Sequence, residues 1–274
     1  FNLMNGINHI NSAFSAAQAA GRAALIPYLT LGYPNPQTSL SLVEAAADAG
    51  ADLIELGLPF SDPLADGPTI QRSTQVALQQ GVNMARCIEF AATLRDRGVT
   101  QPFLMMGYFN PLLTYGIDRF VSDAARAGVD GFIIPDLPVD EAEALESACR
   151  EQERALVYLV SPNTTPQRLA LLAGRTSGFL YLVSVAGVTG ARAGLPSNLE
   201  SFVSRARSVA QGPLAVGFGI TTPEQAAAVG SIADGVIVGS ALINTIDAAK
   251  DDAVQAVYGY VSSLANALKK EVVN

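Results

Sequence analysis

The chain has one histidine, His9, only three lysines, Lys250, Lys269 and Lys270, two cysteines and no tryptophan. Each scarcity removes a class of chemistry. A zinc site draws on histidine or cysteine ligands, and His9 falls in an N-terminal segment remote in order from every candidate loop, so no metal centre is expected. All three lysines stand near the C-terminus, outside every strand-like run, which excludes a Schiff-base aldolase. No Ser–His–Asp or Cys–His set can be assembled. Cys87 and Cys149 fall in separate helix-like segments; a disulfide and a pair of small buried hydrophobes in a reducing cytosol both remain open, the second being preferred.

Charge is also sparse. Charged residues make up 15% of the 274, with a net charge of -8. An acidic chain without a basic patch offers nothing to nucleic acid or to an anionic membrane surface. Any anionic ligand would have to be held by local dipoles. The apolar stretch over residues 13–31 is broken by Gln18, Arg22 and Pro27, and no unbroken apolar run approaches membrane-spanning length. The expected location is the cytoplasm.

What the chain does have is apolar material, 49% of its residues, arranged in short β-rich runs. These cover residues 25–30, 52–56, 103–107, 131–134, 155–160, 179–183, 214–217 and 235–238. Between them lie Ala-rich amphipathic segments such as 38–49, 84–97, 117–127, 140–153, 198–210 and 223–229. Strands that are apolar on both sides and alternate with helices form a parallel sheet buried on both faces. Eight such units at this length predict an α/β fold, a (β/α)8 TIM barrel, as one domain over residues 1–274. An extra N-terminal helix over residues 5–20 is expected to plug the barrel bottom. Three turns, ending in Asp52, Asp130 and Asp234, share a small-residue pattern that hints at a repeat of the βα unit.

Glu55 interrupts an apolar strand near its C-terminal end, where barrel enzymes place their catalytic groups. Side chains alternate along a strand, so Glu55 shares the inner face with Leu53 while Ile54 and Leu56 face the helices. No strand-like run carries a basic residue. The charged form of Glu55 is therefore disfavoured, with the hydroxyls of Tyr28 or Tyr181 as its available partners. A carboxyl that exchanges protons near neutral pH suits general acid–base catalysis. The loop that follows holds Asp62 and Asp66. Both are ordinary turn residues before Pro63 and Gly67; the other reading brings a second carboxylate over the pocket.

Glycines cluster after three consecutive strands, at Gly187 and Gly190, at Gly217 and Gly219, and at Gly239 beside Ser240. Barrels often bind phosphate with the loops after strands seven and eight and the N-terminus of a short helix. Ser240 could open that helix and supply a hydroxyl.

The segment Leu53-Ile54-Glu55-Leu56-Gly57-Leu58-Pro59-Phe60-Ser61-Asp62-Pro63-Leu64-Ala65-Asp66-Gly67-Pro68 closely resembles the signature of the tryptophan synthase alpha chain family. The resemblance continues through Pro27-Tyr28-Leu29-Thr30, Gly107-Tyr108-Phe109-Asn110-Pro111, Pro135-Asp136-Leu137-Pro138, Gly187-Val188-Thr189-Gly190, Gly217-Phe218-Gly219-Ile220 and Gly239-Ser240. It implies a lyase that splits indole-3-glycerol phosphate into indole and glyceraldehyde 3-phosphate. Glu55 and Asp66 match the family's catalytic pair. Gly190, Gly219, Gly239 and Ser240 match its phosphate-binding positions, and Tyr181 a tyrosine lining the pocket. Tyr28 stands where some members carry Phe. Val185 stands where many carry Arg and is assigned no role. The family works with a beta subunit, as an alpha2beta2 heterotetramer, and the pyridoxal phosphate belongs to that subunit; this chain is expected to hold no cofactor. The loop with Pro59 and Asp62 would touch the partner, and closure of it and of loop 187–194 would exclude water. A stand-alone lyase, another phosphate-binding barrel such as a sugar-phosphate isomerase, and a catalytically silent barrel that only activates a beta subunit are the competing readings.

Overall fold

Short β-rich runs buried on both faces become parallel strands only if helices cover one side and a second layer fills the other. The computed structural model, which describes residues 5–183, 195–217 and 219–269, shows this arrangement. Its strands are β1 (Ala24–Thr30), β2 (Ile54–Gly57), β3 (Phe103–Met106), β4 (Gly131–Ile133), β5 (Ala155–Val157), β6 (Leu159–Val160), β7 (Leu180–Val183), β8 (Leu214–Gly217) and β9 (Gly235–Val238). They form one parallel sheet in the order β5-β4-β3-β2-β1-β9-β8-β7-β6. The sheet curls until its two edge strands, β5 and β6, are separated by Tyr158 alone.

That split divides the run over residues 155–160, expected as one strand; the barrel otherwise follows the expected eight βα units. The amides of Leu156 and Tyr158 bond the hydroxyls of Ser177 and Thr176 at 2.9 and 3.0 Å. Side chains have replaced backbone carbonyls there, so the ladder is interrupted and the barrel is nearly closed.

The two faces of each strand part as alternation requires. Leu53, Leu104, Ile133, Val157, Tyr181, Ala215 and Ile237 pack inside the barrel. Ile54, Leu56, Met105, Phe132, Leu182 and Val216 pack outward against the helices. Helix α1 (Gly6–Ala19), capped by the Asn5 side chain, inserts Ile10, Phe14 and Ala17 into the inner cluster. Phe14 meets Phe179 with ring centroids 5.4 Å apart. The plug is as expected.

The Asp52, Asp130 and Asp234 turns do form a structural repeat. Each carboxylate accepts the amide of a residue at or next to the start of a strand, Leu25, Phe103 and Leu214, at 2.8, 2.8 and 2.7 Å. Each also takes an arginine, Arg22, Arg95 and Arg207. Asp130 is the most enclosed, with His9 and Arg154 beside it as well. The sole histidine thus has a structural partner, far from the barrel mouth. Cys87 and Cys149 are both free and buried, so the disulfide reading is set aside.

The helices after α1 are α2 (Pro36–Asp48), α3 (Pro68–Gln79), α4 (Met84–Asp96), α5 (Phe109–Tyr115), α6 (Ile117–Arg126), α7 (Glu143–Glu151), α8 (Pro166–Arg175), α9 (Leu199–Arg207), α10 (Pro223–Gly230), α11 (Ser240–Ala249) and α12 (Ala253–Leu268). At the opposite end of the barrel α3 and α11 reach the mouth, through Ile70 and through Ser240 and Ala241, and α11 starts directly after β9. Among the described residues no helix is long and apolar enough to cross a membrane.

Candidate active site

Strand register sets the first two groups. In the β1–β2 pairing Tyr28 stands opposite Glu55, and Leu104 flanks Glu55 on β3. Both Tyr28 and Glu55 point into a cavity of about 350 Å³ at the C-terminal end of the strands. Asp66, Tyr181, Gly219, Gly239 and Ser240 line the same cavity, so six of the expected pocket residues join Glu55 there. No lysine or arginine is among its described lining residues.

Glu55 is 1% exposed, and neither carboxyl oxygen has a hydrogen-bond partner among the described residues. The expected bond to Tyr28 or Tyr181 is absent. Instead Thr30 Oγ1 lies 3.4 Å from the Tyr28 hydroxyl and 2.7 Å from Ser73 Oγ, tying the phenol back toward α3. A buried charge without a partner is costly, so the group keeps its proton. Burial alone pushes the Glu55 carboxyl up to about 8. At neutral pH it is predominantly a neutral acid, the state a proton donor needs.

Room for the flanking tyrosines comes from two glycines at strand ends. A Cβ on Gly57 would stand 2.1 Å from the Tyr28 hydroxyl, and one on Gly217 would stand 2.5 Å from the Tyr181 hydroxyl. Both phenols are raised, chiefly by burial, with the nearby acids adding to the effect. They stay neutral and supply flat walls with a hydroxyl edge.

Asp66 sits where the loop after β2 meets α3. Tyr108 donates to its Oδ2 at 2.9 Å and accepts the amide of Ala65 at 3.0 Å. Burial raises the Asp66 carboxyl while the Tyr108 bond opposes that, and the net direction is upward. The loop's turn bonds, Leu64 to Asp62 and Asp66 to Pro63, show that the turn reading and the pocket reading of Asp66 hold together. Asp62 is exposed, bonded by neighbouring Ser61, and does not line the cavity. Pro59, expected at a partner surface, is buried in its own chain. The residue that does project is Leu64, 92% exposed.

After β9, which pairs with β1, α11 begins at Ser240 with Gly239 as its N-cap, and no side chain among the described residues caps it. The amides of Leu242 and Ile243 donate to the Gly239 carbonyl at 2.9 and 3.2 Å, which leaves those of Ser240 and Ala241 to meet an anion, and the helix dipole favours negative charge there. Ser240 is exposed, and it lines the cavity together with Gly219. Gly190, Val185, Phe218 and loop 187–194 lie outside the described residues.

Tyr108 was not singled out from the sequence, although it directly follows the Gly107 that ends the third expected strand. Met106, Leu159, Ile220 and Ile237 were also missed as walls of the cavity. Their apolar character carries no mark that separates a pocket wall from the core; only the strand-end position could have pointed to them.

The sequence profile of the tryptophan synthase alpha chain matches residues 14–272. The tryptophan synthase alpha chain of Chloroflexus aggregans is 47% identical over 265 residues, covering 96% of this chain and 99% of that one. Tryptophan synthase of Saccharomyces cerevisiae is 42% identical over 267 residues, 97% of this chain and 38% of the yeast protein. The crystal structure of the tryptophan synthase alpha chain from Legionella pneumophila superposes with a TM-score of 0.90 at 36% identity, covering 99% of this chain and 100% of that one. With profile, relatives and fold in agreement over nearly its whole length, the chain belongs to the tryptophan synthase alpha chain family.

Proposed function

We propose that Glu55 is the general acid and Asp66 the ring-stabilising carboxylate of this chain's reaction, and that Gly190, Gly219, Gly239 and Ser240 hold the substrate phosphate. The family's reaction is the cleavage of indole-3-glycerol phosphate, a carbon–carbon lyase step in tryptophan biosynthesis, and this chain performs it as an alpha subunit paired with a beta subunit. Pyridoxal phosphate belongs to that beta subunit, and the alpha chain carries no cofactor.

The observation that carries the assignment is the neutral, unpartnered Glu55 carboxyl at the cavity wall. Its proton goes to C3 of the indole ring, which becomes an iminium-like cation. Asp66 accepts a hydrogen bond from the ring N–H and stabilises that charge, a preorganised electrostatic contribution. Glu55, now ionised, takes the proton of the adjacent side-chain hydroxyl. The bond between C3 and the glycerol carbon breaks, its electron pair restores the aromatic indole, and the carbinol carbon becomes the aldehyde. Protons balance, and the ring itself is the electron sink. Tyr28 and Tyr181 wall the ring site, while backbone amides at Gly239 and Ser240 offset the phosphate charge in an acidic protein.

In this reading the whole chain is one domain, it works in the cytoplasm, and it assembles as alpha2beta2 with the loop around Asp62 and Leu64 at the partner. Indole release by Glu55→Gln tests the assignment. Turnover is expected to disappear while glycerol 3-phosphate still binds; turnover near that of the unaltered chain would overturn it.

A further inference from the structure

Helix α3 begins two residues after Asp66, and α11 begins at Ser240. Two links at matching spacing cross between these helices. Arg72 donates to Asp247 Oδ2, and Thr69 Oγ1 donates to Asn244 Oδ1 at 3.4 Å. Residues three apart lie on one helical face, so the facing stripes of α3 and α11 are joined twice. The other oxygen of Asp247 accepts from Tyr33, in the loop after β1. One carboxylate thus holds three elements together.

From α3 the connection continues to the catalytic loop. Gln71 Nε2 donates to the backbone carbonyl of Asp66 at 2.9 Å and to that of Pro63 at 3.4 Å. The physical path runs from the N-terminus of α11, through Asn244 and Asp247, to Thr69 and Arg72, and through Gln71 to Asp66. Arg72 is half-exposed, and an exposed ion pair adds little to stability. Geometry is what such a junction contributes: it fixes the angle between two helices whose ends carry the two halves of the site.

We propose that Arg72 and Asp247 are positioning residues that couple phosphate occupancy at the start of α11 to the placement of Asp66. The proposal rests on the phosphate reading of Gly239 and Ser240 given above. Binding energy from the non-reacting phosphate is then used to orient the carboxylate that stabilises the ring. A substrate without its phosphate meets an Asp66 that is less well placed.

The test divides the substrate into pieces, using the chain in complex with its beta subunit. Cleavage of indole-3-glycerol, which lacks the phosphate, is measured with and without phosphite dianion. For the unaltered chain phosphite is expected to raise kcat/KM for the truncated substrate by on the order of 10²-fold. In Asp247→Asn and Arg72→Met that activation falls below about tenfold, while cleavage without phosphite is unchanged. With the complete substrate kcat falls and KM holds. Arg72→Lys, which keeps the charge, retains most of the activation. Full activation in both variants would overturn the coupling, as would an equal loss with and without phosphite, which marks structural damage. No activation of the unaltered chain would overturn the phosphate reading of α11 and the coupling with it.

Discussion

Tyr108 holds the end of the loop at Asp66 with two bonds, donating to the Asp66 carboxylate at 2.9 Å and accepting the amide of the preceding residue, Ala65, at 3.0 Å. One phenol thereby fixes both the side chain and the backbone of the loop end that faces the cavity. It also opposes the effect of burial on the Asp66 carboxyl.

Removing that hydroxyl should change the pH dependence of the reaction in a definite direction. In Tyr108→Phe the burial of Asp66 is no longer offset, so its carboxyl titrates higher. In the proposed reaction the ionised form stabilises the ring, so activity is expected to be lost as pH falls through the raised value. The acid limb of the kcat/KM profile moves to higher pH, and the plateau drops by about 10–100-fold, the cost of one bond to a charged group. A profile with its acid limb unmoved would contradict this role.

Glu55 makes the fold itself pH-sensitive. The unfolded chain releases this proton near 4.5, the folded chain only at about 8. Between those values the native state binds one proton more, so stability falls as pH rises, by up to about 1.4 kcal/mol per pH unit. The contribution is complete below the unfolded value and is lost through the folded one. Glu55→Gln removes the slope, giving a variant more stable than the parent by several kcal/mol, on the order of 3–5, at pH 8 and little different at pH 4. Urea unfolding across this range reads the effect; parallel curves for the two proteins would count against it.

The bottom of the barrel predicts an order of stability losses. Asp130 is 4% exposed and faces Arg95 and Arg154, whereas Asp234 is 37% exposed and faces Arg207. Asparagine keeps one acceptor for the strand amide, turns the other oxygen into a donor and deletes the charge. Asp130→Asn should cost about 3–5 kcal/mol, because a buried guanidinium loses its counter-charge, and Asp234→Asn under about 1 kcal/mol. Equal losses in denaturant unfolding would show that enclosure does not set the value of these pairs.

The two strand-end glycines give a kinetic prediction. Alanine at Gly57 or Gly217 collides with the hydroxyl end of Tyr28 or Tyr181. Each ring has to swing away, and the cavity wall moves with it. Circular dichroism should show intact folds, while kcat/KM falls on the order of 10²-fold, the usual cost of an ångström-scale misplacement. Unchanged kinetics would mean the tyrosines only fill space.

How much of this was legible beforehand differs residue by residue. The inward set of Leu53 and Glu55 follows from two-residue periodicity; the plug helix was also expected, while its contact residues Ile10, Phe14 and Ala17 come from the structure. The break at Tyr158 does not, because it depends on the hydroxyl of Thr176, 18 residues from Tyr158, and that of Ser177, 21 residues from Leu156. Asp52, Asp130 and Asp234 read locally as turn residues; their arginine partners come from other βα units, and only folding brings them together. Tyr108 and Asp66 are separated by 42 residues for the same reason. Pro59 looked like loop surface, yet the chain covers it and leaves Leu64 to project.

The proposed chemistry turns on one proton held by one buried side chain. Difference infrared spectroscopy of the unaltered chain against Glu55→Gln, followed through a pH titration, reports the protonated carboxyl stretch of this residue directly. A band present at neutral pH that bleaches with a midpoint near 8 is the predicted result. A carboxylate already ionised at pH 6 would contradict the neutral acid on which the chemistry depends.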